Sequence, residues 1–186
     1  MLPDSLDWGR ASSAASVFTA ALVAIITTLF IVAFYAFYSI VLYQLAKKKD
    51  VAHPWMAWIP YLNNYIIGEI AGPMHVLGRF ELRNTGLWLF LSPIVVAGVS
   101  QVLENYSSIP LIGGVFSVLS GIVGALGSIA ALLFLCLVLY RIFSRYVPKN
   151  ITLVFSILSI FAVTVPFFLA SILNKPQISE GYDFIV

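Results

Sequence analysis

Residues 53–72 read HPWMAWIPYLNNYIIGEIAG. Two prolines, two tryptophans and an asparagine pair precede a single acid, Glu69, in an otherwise apolar stretch. Whether this stretch crosses a membrane or turns back decides how often the chain spans, and the flanking charges discriminate. If it crosses, Lys47, Lys48 and Lys49 fall on one side, and Arg79, Arg83, Arg141, Arg145 and Lys149 on the other. If it enters and leaves on one side, all eight share a face and only Arg10 and Lys175 lie opposite. Short loops concentrate Lys and Arg on the cytoplasmic side, so the second partition predicts a re-entrant or interfacial hairpin over 53–72. A fifth span is the alternative. Pro54 and Pro60 suit the first turns of short helices. Trp55, Trp58, Tyr61 and Tyr65 are amphipathic aromatics suited to the headgroup region. From Pro60 a helix would reach Ala71, too short to span against the ~20 residues a bilayer needs.

The rest of the chain dictates lipid as solvent. Of 186 residues, 61% are hydrophobic and 10% charged, with mean hydropathy +0.99, where soluble domains carry roughly 25% charged residues. A net charge of +2 in short basic clusters orients a membrane protein and does not suggest nucleic-acid binding. The single cysteine, Cys136, lies within LLFLCLVLY. It excludes an internal disulfide and a cysteine-based metal cluster, and reads as a small buried hydrophobe. Asp4 and Asp7 stand where a secretory signal carries a basic region, and the apolar run that follows is longer than a cleavable core of roughly 7–15 residues. The first hydrophobic stretch is therefore expected to persist as a helix.

Four stretches predict spanning helices: 16–46, 86–103 with Pro93 inside, one within 111–143, and 151–173 with Pro166 inside. The expected fold is an all-α polytopic bundle of four spans plus the hairpin. Residues 1–15 and the tail 174–186 are expected outside the cytoplasm, flanking one transmembrane domain over 16–173. A straight helix over 111–143 would run about 50 Å at ~1.5 Å per residue, against a core of about 30 Å. An irregular start after Pro110 and a packed remainder resolve the excess. Gly121, Gly124 and Ser128 supply the small residues that let helices approach in lipid.

KKKDVAHPWMAWIPYLNNYIIGEIAG resembles a pattern in small, mostly uncharacterised bacterial membrane proteins. A basic turn leads into Trp-x-Ala-x-Ile-Pro-x-x-Asn-x-Tyr and a short apolar run ending in Gly. Trp55, Ala57, Ile59, Pro60, Asn63, Tyr65 and Gly72 carry it. The resemblance covers residues 35–72. It implies a multi-pass protein of a bacterial plasma membrane and transfers no chemistry.

Glu69 is the one acid placed to reach membrane depth, and helical spacing aligns it with Tyr65 and Tyr61 on one face. Intramembrane acids are candidates for ion or proton handling, while a surface Glu69 paired with Arg79 or Arg83 is a purely structural reading. His53 and His75 flank the hairpin, but nothing in their spacing enforces a metal site. The basic surface of Lys47, Lys48, Lys49, Arg79, Arg83, Arg141, Arg145 and Lys149 would attract anionic lipid headgroups or act only as topological charge. Hydrolase, metalloprotease and phosphate-loop signatures are missing, so no catalytic residue, cofactor or metal is assigned. The leading expectation is a non-catalytic membrane partner or scaffold subunit of a bacterial envelope complex, associating with another membrane protein or with itself. A small transporter or channel subunit using Glu69 comes second, and an intramembrane lipid-acting enzyme third.

Overall fold

Backbone amides and carbonyls in hydrocarbon must find partners within the chain, which leaves helices as the spanning elements of a sequence this apolar. The computed structural model describes residues 8–76, 80–110, 112–159, 161 and 163–177. Helix α1 covers Trp8–Lys48. A 3-10 segment, Pro54–Trp58, opens on its proline and precedes α2, Leu62–Ala71. Strands β1, Met74–Val76, and β2, Phe80–Leu82, pair antiparallel with Met74 opposite Leu82. Then come α3, Thr85–Asn105, a 3-10 turn at Tyr106–Ser108, and α4, Gly113–Ser144. Two short helices follow: α5, Lys149–Leu158, and α6, Val165–Leu173. The fold class is all-α, as the sequence predicts.

Among the described residues, three helices are long and apolar enough to cross a membrane: Ser16–Lys48, Thr85–Ser108 and Gly113–Ser144. The expected fourth span, 151–173, is instead divided between α5 and α6. Proline removes an amide and clashes with the carbonyl four residues back, so Pro166 starts a helix more readily than it continues one. Pro166 occupies the first turn of α6. The Thr164 hydroxyl satisfies the interruption, donating to the carbonyls of Leu158 (2.7 Å) and Phe161 (2.8 Å). Pro93, by contrast, is accommodated inside α3. The Leu89 carbonyl it frees receives the Ser92 hydroxyl at 3.4 Å. The irregular start expected after Pro110 is present, with α4 beginning only at Gly113.

The chain forms two compact units, one ending at Tyr38 and the other beginning at Ser39. In the first, α1 exposes large apolar side chains around its circumference, among them Val17 (69% exposed), Phe18, Ile25, Ile26 and Phe30. In the second, the core gathers where several helices end. Leu42, Leu45 and Ala46 of α1, Ile66, Ile67 and Ile70 of α2, Leu139, Ile142 and Phe143 of α4, and Leu169 and Ile172 of α6 are all buried. Phe155 of α5 stacks on Phe168 of α6 with ring centroids 4.3 Å apart, and Phe143 meets both edge-on. These contacts fold α5 and α6 back against each other beside the end of α4.

Two packing seams hold α3. Gly68 of α2 faces Gly86 of α3 so closely that a Cβ at Gly68 would lie 2.6 Å from the Gly86 nitrogen. On α4, Ser120 donates to the Ser100 carbonyl at 3.0 Å, and a Cβ at Gly127 would lie 2.6 Å from a Val96 methyl. Of the expected packing residues, Gly124 lies on this seam beside the Ser100 hydroxyl. Gly121 has open space where a side chain would stand, and Ser128 is exposed, donating to the Gly124 carbonyl of its own helix at 2.6 Å. The seam follows Ser120, Gly124 and Gly127 at alternating four- and three-residue steps, which turns Gly121 and Ser128 away.

Candidate functional site

Helix C-termini leave carbonyls without intrahelical partners, and cations are favoured there. This chain uses two of its basic residues to meet that need. Arg145, just past α4, donates through Nη1 to the Ile70 carbonyl (3.0 Å) and through Nη2 to the Ala71 carbonyl (2.8 Å), closing α2. Lys48, the last residue of α1, donates to the carbonyls of Leu173 (2.9 Å) and Lys175 (3.0 Å), closing α6. Thr85 adds a hydroxyl bond to the Gly72 carbonyl at 2.8 Å, joining the end of α2 to the start of α3. Gly72 itself has φ +70°, a left-handed conformation that only glycine adopts without strain.

Tyr146 lies at the centre of this corner. It is 1% exposed, and its ring sits 5.7 Å from Lys48 Nζ and 5.4 Å from Lys49 Nζ, within reach of cation–π attraction. Its hydroxyl is buried without a hydrogen-bond partner among the described residues. Burial pushes the Tyr146 phenol above its ordinary range, partly opposed by the Arg145 charge. Burial and, secondarily, the positive charges of Arg145 and Lys48 lower the affinity of Lys49 for its proton.

This geometry revises the charge partition. The sequence reading separated Lys175 from Lys47–Lys49, yet Lys48 bonds directly to the Lys175 carbonyl. Because α5 and α6 fold back, the chain returns to the end of the bundle it left at Ser144. The turn that leads into the 53–72 stretch and the stretch's far end both belong to this corner, through Lys49 beside Tyr146 and through Arg145 on Ile70 and Ala71. Lys47, Arg83 and Lys149 are exposed. Arg79, residues 1–7 and the tail from 178 lie outside the described residues, as does the side chain of His75.

The motif residues divide sharply. Ala57 is fully buried, while Trp55 (54% exposed), Trp58, Ile59 and Pro60 face outward. The Asn63 side chain accepts the Asn64 amide at 2.9 Å, an aid to starting α2. Tyr65 and Glu69 lie one turn apart on α2. Burial first, then the Glu69 charge and a hydrogen bond to it, raise the Tyr65 phenol above its ordinary range. Tyr61 does not join them. It precedes the first residue of α2 at φ +71° and is 71% exposed, so helical spacing does not apply to it. The Glu69 carboxylate rests against Gly86 in the first turn of α3, where the helix dipole favours an anion. His53 is exposed, and among the described residues no three His, Cys, Asp or Glu side chains converge on a metal-sized site.

No family model, no curated protein and no solved structure matches this chain. The corner therefore stands on its own geometry. Sequence reasoning missed the Gly68–Gly86 approach, the burial of Tyr146 and the structural employment of Lys48 and Arg145. Gly68 and Gly72 do carry the four-residue small-residue spacing that marks a close helix contact. Nothing local marks Tyr146.

Proposed function

We propose that the chain is a non-catalytic membrane partner subunit of a larger bacterial envelope complex. The observation that carries this reading is the first unit: helix α1 from Ser16 to Tyr38 presents apolar side chains on every face. Such a helix suits lipid or another helix, and the aromatic pair Phe30 and Phe34, with centroids 6.4 Å apart, offers a shaped surface for the latter. The two strongest side-chain anchors at the basic corner, Lys48 and Arg145, are spent on backbone carbonyls, which supports a structural use of that charge. The motif over 53–72 supports a bacterial setting.

In this reading α1, α3 and α4 cross the bilayer, and 53–72 dips from the basic side. Helix α2 has ten residues, about 15 Å long against a core of about 30 Å. The α5–α6 pair is a second half-depth hairpin. The basic corner then faces the cytoplasm, and residue 175 faces it too. Extraction of native membranes in mild detergent tests the subunit reading. A tagged copy should retain one stoichiometric companion, and a chain recovered alone overturns it.

A second reading, a small transporter or channel subunit, draws on the Glu69 charge raising the Tyr65 phenol, after burial, on the same helix. It requires that Glu69→Gln abolish a flux measured with the purified protein in liposomes.

A further inference from the structure

Two long apolar helices end at the basic corner. Lys49 is the first residue past one candidate span, Ser16–Lys48, and Arg145 the first past another, Gly113–Ser144. The 32 residues of the second make about 48 Å of helix, against about 40–45 Å for the hydrocarbon and both headgroup layers together. A helix of that length ends among lipid headgroups, so the corner stands at the depth of their phosphates.

Three cations meet there, and two are committed. Lys48 and Arg145 each donate two hydrogen bonds to the carbonyls that close α6 and α2. Lys49 stands apart. It is half-buried, with its ammonium against the Tyr146 ring. Among the described residues that ammonium has no hydrogen-bond acceptor or carboxylate within bonding distance. Asp50, the next residue, is exposed and does not pair with it. The two charges that reach Lys49, from Arg145 and from Lys48, are both positive. An aromatic face attracts a cation but offers no lone pair to its three N–H groups. An ammonium partly removed from water and set among like charges is short of an anion.

We propose that Lys49 binds the phosphate of one anionic membrane phospholipid, with Lys48 and Arg145 adding their field behind it. The lipid phosphate supplies both the acceptor and the negative charge that the chain leaves out at this position. The proposal rests on residence in a bilayer and is independent of any companion protein.

Native mass spectrometry of the purified full chain in detergent, titrated with phosphatidylglycerol or phosphatidylcholine, tests it. One phosphatidylglycerol should be retained in preference to phosphatidylcholine. Lys49→Gln should weaken that retention about fivefold, the weight of one basic residue near the surface. Lys49→Arg keeps the charge and should bind as the parent does, which separates loss of the cation from loss of the fold. Lys149→Gln removes an exposed lysine from outside this trio and should change nothing. Inorganic phosphate in excess should not displace the lipid. Equal retention of the two lipids, unchanged retention in Lys49→Gln, an equal loss in Lys149→Gln, or displacement by inorganic phosphate overturns the proposal. The assay uses the chain without companions, so its outcome and that of the detergent extraction are separable.

Discussion

At Gly68 and Gly86 two helices meet backbone to backbone, and each residue lacks the atom that would part them. A Cβ on Gly86 would lie 2.6 Å from the Tyr65 carbonyl and 2.7 Å from Glu69 Oε1, so both neighbours would have to move. A Cβ on Gly68 would meet backbone alone, the Gly86 Cα first, where no side chain can swing aside. Gly68→Ala should therefore part α2 from α3 and cost about 1–3 kcal/mol, the usual range for an overfilled contact. Thermal unfolding in detergent measures it. Gly121→Ala, which meets nothing within 4 Å, is the matched control and should be close to neutral. A destabilisation equal to that of Gly121→Ala would show that the seam is not tight. The same pair shows how far the sequence could be read at this scale. Small residues announce that some helix contact exists, but which glycine faces a partner depends on helix rotation, which a stretch apolar on all sides does not encode.

Among elements, the telling comparison is between Pro93 and Pro166. Both stand in stretches of similar apolarity, yet α3 continues through the first while the second opens α6. Local alternatives decide. Thr164 offers its hydroxyl to two carbonyls upstream of Pro166, and Ser156 and Ser159 bond to the carbonyls four residues back, so the α5–α6 junction has partners ready when the ladder stops. Hydropathy over 151–173 carries no trace of that, which is why a fourth span was expected there. The helices 16–46, 86–103 and the later part of 111–143 were legible because length and apolarity alone define them. Helix α2 depends on a remote cation instead. Arg145→Gln removes two charge-assisted bonds from its last carbonyls, a loss of about 2 kcal/mol. Amide exchange over 66–71 should accelerate roughly thirtyfold. Exchange in the middle of α4 should not change. Uniform acceleration of both helices would mean that Arg145 supports the whole unit and not α2 in particular.

For the molecule as a whole, the position of residue 175 separates three crossings from four. Single cysteines at positions 47 and 175, in a Cys136→Ser background, can be probed on intact cells with a membrane-impermeant maleimide. Both should be protected until the membrane is permeabilised. Labelling of position 175 alone would restore the four-span arrangement and with it the original charge partition. Counting cations sets Lys175 apart from Lys47–Lys49, whereas Lys48 bonds the Lys175 carbonyl, because one charge on a tail weighs little against an assumed span. The bond between Lys48 and the end of α6 has a temporal side as well. It joins groups 125 residues apart in the chain. At a synthesis rate of about 5–20 residues per second, the ammonium of Lys48 waits roughly 6–25 seconds after its own translation for those carbonyls to exist. Helix α1 thus forms with its terminal clasp open, and the corner shuts only when α6 has left the ribosome.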